Sequence, residues 1–544
     1  MWLFTAFKAA SQDTFLADVG IDGAQADKEA SSVAVSADGR WIAFQSSALN
    51  LVPGTTNPGH IFVKDTLTGA IDIGSRSSSG AKGNAPSSNP FLSADGRYVV
   101  FESMATNLVP GDFNVAKDIF LRDLVLGTTQ RVSVAQDGSE SDRNSDEPTV
   151  SDDGRFVTFF TDATLGFAND TNGTYDVFVR DTGLGTTRQV SLTPAGVTGS
   201  SSSQSAMVSG DGGFVAFESL SKDILPGQAF NQRQIYRRDL GTDATERVSV
   251  DSAGILANAT SEEPGISSDG RFVAFVSLAT NLAAGDLLFQ NDVFVRDMAL
   301  GITERISSTP TGAEPSGECL LDPSSGRSIS RDGRHVVYSS GATNILPELS
   351  TSKSRIFVKD RTTGITSFRS TTWKGTTSEN NCFNGVVSDD ATRVAFTSSG
   401  TDLVPIDNNG AIDVFVHAID FTSWIDLGGA LPGSQGPPVL TGAGPLVPGT
   451  SGALLLGQVP ATSAGLLLVA LTTQPTPFKG GNLLAVPPAS IWPLVADGAG
   501  AVQWTFVWPP GFPSGLPFYL QAIFPDAGAI HGVSISNALQ GTQP

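Results

Sequence analysis

A serine followed two residues later by Asp-Gly, and then by a short apolar run, recurs through most of this chain at an almost fixed interval. The anchoring serines are Ser36, Ser93, Ser151, Ser209, Ser267, Ser330 and Ser388, spaced by 57, 58, 58, 58, 63 and 58 residues. A fixed period of this length means that each copy is a unit unable to bury its own apolar faces, so stacked neighbours must bury them. A chain of 544 residues built this way can place most of its length in one extended architecture instead of several separate cores.

Six copies carry the Asp-Gly pair, as in Asp153-Gly154 and Asp211-Gly212, and the seventh reads Asp389-Asp390-Ala391-Thr392. Asp-Gly suits the two left-handed positions of a type I′ turn, so each pair is expected to join two antiparallel strands. The run after the turn is apolar on both faces, as in Trp41-Ile42-Ala43-Phe44 and Phe156-Val157-Thr158-Phe159, which fits a sheet packed between two others. A third strand is expected at Ile61-Phe62-Val63 and its equivalents through Val414-Phe415-Val416. A fourth, of polar edge character, is expected at Gln130–Val134, Arg188–Leu192, Glu246–Val250 and Glu304–Ser307.

Four short strands in each of seven copies predict an all-β fold, a seven-bladed β-propeller. Residues Phe15–Ile21, followed by Asp22-Gly23, repeat the pattern of a fourth strand and its exit turn, whereas the seventh copy passes from its third strand into different sequence. The amino-terminal strand is therefore expected to complete blade seven and close the ring. The expected boundaries are a tail at 1–13, the propeller at 14–420, and a carboxy-terminal β-sandwich at 421–544. In the last of these the charged side chains between Ile425 and Pro544 are only Asp426, Lys479, Asp497 and Asp526, amid apolar runs cut by Pro- and Gly-rich turns.

The segments Ser151-Asp-Asp-Gly-Arg-Phe-Val-Thr-Phe159 and Asp176-Val-Phe-Val-Arg-Asp181 resemble the repeat of the TolB-type propellers, a WD-like (PD40) family of periplasmic and secreted bacterial proteins. The resemblance spans about residues 14 to 420 and implies fold, with a periplasmic or extracellular setting. It implies no single activity, because relatives include protein-binding modules, peptidase accessory domains and polysaccharide lyases. The carboxy-terminal segment resembles terminal modules of secreted proteins from planctomycete-like bacteria.

The 54 acidic and 33 basic side chains give a formal net charge of -21. That balance argues against nucleic acid and anionic lipid as partners and favours cationic ligands. The apolar window Gly452–Leu471 is split by Gln458, Pro460, Thr462 and Ser463, and reads as two strands instead of a membrane span. No complete secretory signal is visible in the opening residues. Motifs for a hydrolase elbow, a zinc protease or a phosphate loop are absent.

Three groups of residues are candidates for chemistry. Charged departures from the repeat, namely Arg233, Arg237, Arg238, His335 and His417, are candidates for ligand binding. The oxygen-rich loops before the third strands, Asp112/Asn114/Asp118, Asp170/Asn172/Asp176 and Asp407/Asn409/Asp413, have a spacing that could surround Ca²⁺, the one cofactor the sequence admits. The bland alternative is that they stabilise turns through their own backbone amides. Cys319 and Cys382 fall at equivalent phases of neighbouring copies once the longer sixth period is allowed for, and a disulfide between them would staple the last two blades, the alternative being two separate buried or surface thiols. Repeated Asp65, Asp123, Asp181 and Arg40, Arg97, Arg155 are expected to be structural, since a role filled in every blade is local. The functional expectation is a scaffold that binds a protein or glycan through loops on one face, with contact to the second domain. The competing expectation is a calcium-dependent enzyme acting on polysaccharide, such as a lyase.

Overall fold

The computed structural model describes residues 14–163, 172–227, 232–309, 311–321, 326–346, 349, 352–372, 377–378, 380–389 and 391–418, and, further on, 424–428, 431–443, 451–471, 476–478, 481–483, 488–498, 500–507, 517–530, 532–536 and 538–542. Among these residues every named element is a strand, and no helix is long and apolar enough to cross a membrane. The chain divides into two compact units, one of them Gln12–Ile419, the other holding the residues from Asp420 onward.

The first unit contains seven four-stranded antiparallel sheets. Blade 1 is Ala30–Val35, Trp41–Ser46, His60–Asp65 and Ile71–Ile73, and the pattern repeats to blade 7, Cys382–Val387, Arg393–Ser398 and Asp413–Ala418. The fourth strand of blade 7 is Thr14–Leu16, paired antiparallel so that Thr14 faces His417 and Leu16 faces Phe415. The ring is thus a seven-bladed propeller shut by its amino-terminal strand. First strands of successive blades lie against one another around the axis. At one end a chain of backbone bonds circles that axis, including Ala37 N–H to Ala94 O at 2.9 Å, Asp152 N–H to Gly210 O at 2.9 Å and Ser268 N–H to Arg331 O at 3.2 Å.

Each blade is held by the same parts. A stacked aromatic pair joins its second and third strands, from Phe44–Phe62 at 5.7 Å to Phe396–Phe415 at 5.8 Å. In five blades an arginine after the turn grips the aspartate ending the third strand, as in Arg40–Asp65, Arg97–Asp123, Arg155–Asp181 and Arg271–Asp297, each 2.7 Å, and Arg334–Asp360 at 2.6 Å. The hydrogen bond from Arg40 holds the Asp65 carboxyl below the ordinary carboxylate range. The arginines are over a third exposed, so solvent screens each pair and leaves it a small part of the blade's stability.

The turn differs from the type I′ expectation. Gly39 takes a φ of +70°, but Asp38 keeps a negative φ. Ser36 is the reason: its Oγ donates to Asp38 Oδ1 at 2.6 Å and accepts from Trp41 N–H at 2.9 Å, while Asp38 Oδ1 also accepts from Arg40 N–H. The hydroxyl fixes the aspartate as a turn acceptor and leaves only the glycine left-handed. The fourth strands also end earlier than expected, at Arg131, Gln189, Arg247 and Arg305. The Val-Ser pairs that follow, Ile306-Ser307 in blade 5, are fully buried, since Ser133, Ser191, Ser249 and Ser307 bond the first residue of the third strand instead of lying at an edge.

The expected disulfide is not formed: Cys319 and Cys382 are free, buried thiols. Each begins the first strand of its own blade, opposite Ser340 and Ser398 respectively. Other blades place serine there and bond it across the pair, as Ser87–Ser103 and Ser203–Ser219 do. Equivalent side chains in adjacent blades therefore point at their own partners and not at each other. Burial pushes the two thiols up to about 12 and about 11. Cys319→Ser is expected to change unfolding free energy by less than about 1 kcal/mol, and reductant is expected to leave the melting temperature of the parent unchanged; a reductant-induced drop would show a bridge after all.

The second unit has a six-stranded sheet containing Trp424–Gly428, Ala464–Ala470 and Pro517–Pro525, and a three-stranded sheet of Val439–Ala443, Ser451–Gly457 and Val502–Val507. Leu440, Leu454 and Leu456 from the smaller sheet share one core with Leu467, Phe518 and Leu520 from the larger. Two sheets packed on a common core form the expected sandwich.

Candidate functional site

The antiparallel order gives the propeller two unlike faces. Asp-Gly turns and tight turns after the third strands lie on one, and the longer connections between second and third strands lie on the other, together with the starts of the first strands. On this loop face the first strands share an irregularity. Ser32, Asn89, Glu147, Ser205, Glu263 and Asn384 adopt positive φ, from 45° to 56°, and the strand register shifts beside them. These are β-bulges in a conformation that non-glycine residues seldom take. Each sits four residues before its anchor serine, at the rim of the axial channel, where neighbouring bulges meet: Ser205 Oγ donates to Glu147 Oε2 at 3.1 Å, and Leu321 N–H donates to Glu263 Oε2 at 3.2 Å.

The bulges build an asymmetric cavity of about 370 Å³. Its lining combines Glu147, Glu218, Glu262, Glu263, Gln204, Ser205 and Arg233 with the apolar Leu320, Leu321 and Phe383. Arg233 lies 2.9 Å from Glu262 and 3.6 Å from Glu218. This guanidinium thus reaches two of the four carboxyls that line the cavity. Burial pushes Glu147 up to about 7, with the charges of Glu218, Glu102 and Asp146 adding to it. Glu218 is also raised by burial, tempered by Arg233. The rim is therefore a concentration of acid that would gain from a further cation. Outside it the loop face exposes Phe113, Val115, Leu287 and Phe289, of which Phe113 is 83% exposed.

Of the five charged residues singled out from the sequence, this cavity holds Arg233 alone. Arg237 lies over the ring of Phe214 at 4.4 Å, and supplies the cation that Gly213 removes from the post-turn position of blade 4. Arg238 is not a departure from the repeat: it bonds Thr245 at 3.0 Å, as Arg122, Arg180 and Arg296 bond Thr129, Thr187 and Thr303. His335 is buried at the start of a second strand on the turn face. His417 is buried in the closing blade, with Nδ1 2.8 Å from Thr14 Oγ1.

The oxygen-rich loop of blade 2 is occupied by the protein itself. In blade 2 a nitrogen of Arg131 lies 3.3 Å from Asp118, 3.5 Å from Asp112 and 2.6 Å from Glu140, and Asn114 donates to Asp118. Asn172 and Asn409 likewise turn their amide NH₂ groups to Asp176 and Asp413, at 3.0 and 2.8 Å. Asp407 lies in the loop of blade 7, and Asp170 lies outside the described residues. Among the described residues no group of three His, Cys, Asp or Glu is arranged to hold a metal ion.

Sequence reasoning missed Glu147, Glu218 and Glu263. For Glu147 and Glu263 the signal was present, because the position four before each anchor reads Ser, Asn, Glu, Ser, Glu and Asn in blades 1 to 5 and 7 while its surroundings repeat. A variable polar position inside a constant strand marks a rim.

No protein-family model and no curated protein sequence matches the chain. Among solved structures it is similar to a TolB-type protein from Agrobacterium tumefaciens, at 17% identity over 51% of this chain and 80% of that one, with a TM-score of 0.32. It is similar to the WD40 repeats of RRP9, at 7% identity over 75% and 98%, TM-score 0.40. The extracellular domain of a hybrid two-component system from B. thetaiotaomicron is 9% identical over 94% and 56%, TM-score 0.38. The propeller assignment itself rests on the seven sheets and their closing strand.

Proposed function

We propose that the propeller is an interaction scaffold whose loop face receives a basic side chain, lysine or arginine, from a protein partner. The observation that carries this is the cavity at the channel rim, whose lining joins Glu147, Glu218, Glu262 and Glu263 with the apolar Leu320, Leu321 and Phe383. A lysine or arginine combines a cationic head with an aliphatic stem, and this lining matches both parts. The exposed Phe113, Leu287 and Phe289 on the same face extend the contact area with apolar groups. A polysaccharide-active enzyme would call for two carboxyls free to act as acid and base; here Glu218 and Glu262 are tied to Arg233, and Glu218 also accepts from the Glu263 amide.

A screen against arrays of basic peptides and of glycans tests the reading. Glu262→Arg and Phe383→Asp are expected to weaken peptide binding at least about tenfold, equivalent to ~1.4 kcal/mol, while Leu300→Asp on the opposite face leaves it unchanged. Binding should also weaken with rising salt. Glycan binding indifferent to Glu262→Arg, or binding abolished by Leu300→Asp alone, would overturn it.

A further inference from the structure

Two blade junctions on the loop face carry charge at the same four positions, and the other five junctions carry none there. Between blades 2 and 3 the residues are Glu102 near the end of a second strand, Lys117 just before a third strand, and Asp146 and Glu147 in the bulged first strand of blade 3. Between blades 4 and 5 they are Glu218, Arg233, Glu262 and Glu263. The geometry repeats with the residues. Lys117 Nζ lies 3.1 Å from Glu102 and also pairs with Asp146, as Arg233 lies 3.6 Å from Glu218 and 2.9 Å from Glu262. Glu102 Oε2 accepts from the Glu147 amide and Glu218 Oε2 from the Glu263 amide, each at 3.1 Å. The two bulge glutamates share a left-handed φ, 46° and 56°.

Packing accounts for only part of this. One carboxylate to accept the bulge amide and one to pair with the cation complete a junction, and the uncharged junctions show that blades pack without either. Each charged junction adds a third carboxyl, Glu147 or Glu263. Both line the one cavity at the channel rim, and among the described residues of that lining Arg233 is the single cation. Glu147 Oε2 accepts from Ser205 Oγ at 3.1 Å and Glu263 Oε2 from Leu321 N–H at 3.2 Å. The junction between the two, of blades 3 and 4, has Phe160, Tyr175, Gln204 and Ser205 at the four positions. Gln204 and Ser205 line the same cavity, while the exposed Tyr175 meets Phe160 edge to face at 5.4 Å. The rim therefore reads acid, neutral polar, acid across blades 3, 4 and 5. Two acidic subsites on either side of a neutral one complement two cations joined by a chain better than they complement one.

We propose, resting on the reading of this cavity as a receptor for basic side chains, that the partner's segment supplies two of them, one received at Glu147 and the other at Glu263, with the chain between them crossing Gln204 and Ser205. In an extended segment the pair is residues i and i+2, whose side chains share a face. Linking the two cations makes the second contact intramolecular, so the pair binds more tightly than either alone. The amide of Gln204 and the hydroxyl of Ser205 suit the backbone of the crossing segment. The apolar Leu320, Leu321 and Phe383 of the same lining take the aliphatic stems. Lys117 and Arg233 then have a common role: each neutralises the two carboxyls behind its subsite and leaves the bulge glutamate for the ligand.

Calorimetric titration of the full chain with three capped Gly/Ser peptides of equal length tests the proposal. The first carries a single lysine, the second a Lys-x-Lys pair, and the third one lysine at each end. Burial and the charges of Glu218, Glu102 and Asp146 push Glu147 up to about 7, so the titrations are run at pH 8. Lys-x-Lys is expected to bind at least about tenfold more tightly than the single lysine, and the end-placed pair within about threefold of it, since equal net charge does not fill both subsites. Glu147→Gln and Glu263→Gln each keep an oxygen for the existing hydrogen bond. Each should abolish the advantage of Lys-x-Lys while changing single-lysine binding by no more than about twofold, whereas Glu262→Arg should weaken all three peptides. Equal affinity for the first two peptides, or the same gain from the end-placed pair, would overturn the two-cation site and leave the single-cation receptor standing. Binding of none of the three would overturn both.

Discussion

Gly212→Ala is expected to destabilise the propeller by about 3–5 kcal/mol, and Gly196→Ala by only about 1–2 kcal/mol, although the two glycines share nearly the same backbone. Gly212 has a φ of +72° and Gly196 of +74°, so the conformational strain on a side chain is common to both. Their surroundings differ. A Cβ at Gly212 would stand well inside van der Waals contact with Cδ2 and Cε2 of Phe156, which belongs to the preceding blade, whereas a Cβ at Gly196 would meet nothing within 4 Å. The same contact recurs around the ring, with Gly96 under Trp41, Gly154 under Tyr98, Gly270 under Phe214 and Gly333 under Phe272. Each aromatic opening a second strand is seated on the turn glycine of the next blade. Its ring cannot withdraw without giving up burial in the blade interface, so the clash is added to the strain. Denaturant unfolding of the two variants separates these parts. Equal losses would mean that Phe156 yields freely and that the glycine is kept for its φ alone.

This dual role explains what the sequence could and could not disclose. Six copies of Ser-x-Asp-Gly, a seventh reading Ser388-Asp389-Asp390-Ala391, and Phe-Val-type runs state the blade, and the match of Phe15–Ile21 to a fourth strand states the closure, because both are local patterns repeated in one chain. The turn type was less legible. Asp-Gly is compatible with two left-handed residues or one, and the choice is made by the Ser36 hydroxyl through bonds to Asp38 and Trp41. Arg238 looked like a departure only when its blade was read alone, for Arg122 and Arg296 occupy the same place. The cysteines shared a phase, and the same phase in adjacent blades means parallel, non-meeting side chains. The rim acids were hidden for a different reason. Their significance comes from ring closure, which brings Glu147 of blade 3 and Leu320 of blade 6 into the wall of one cavity. Nothing in local periodicity encodes that meeting.

Arg327→Met is expected to cost about 3–5 kcal/mol, the range for removing one partner of a buried ion pair, and the loss should depend on Asp152. Arg327 follows the insertion that lengthens the sixth period, and its side chain is 6% exposed. It reaches Asp152 of blade 3 at 2.8 Å and Asp389 of blade 7 at 3.5 Å, with its guanidinium 5.7 Å from the ring of Phe91 in blade 2. One side chain from blade 6 therefore ties together blades that meet only at the axis. Methionine keeps much of the volume and removes the charge, leaving Asp152 with the half-exposed Arg331 at 3.2 Å. Asp152→Asn should be milder, because Arg327 retains Asp389. In the double variant neither residue burdens the axis with an unpaired charge, so its loss should fall short of the sum of the single losses by about 1–3 kcal/mol. A strictly additive cycle would show that Arg327 acts through packing against Phe91 and not through the cross-channel pair. A coupled one would establish that Arg327, directly after the insertion in blade 6, supplies the charge that joins opposite sides of the ring.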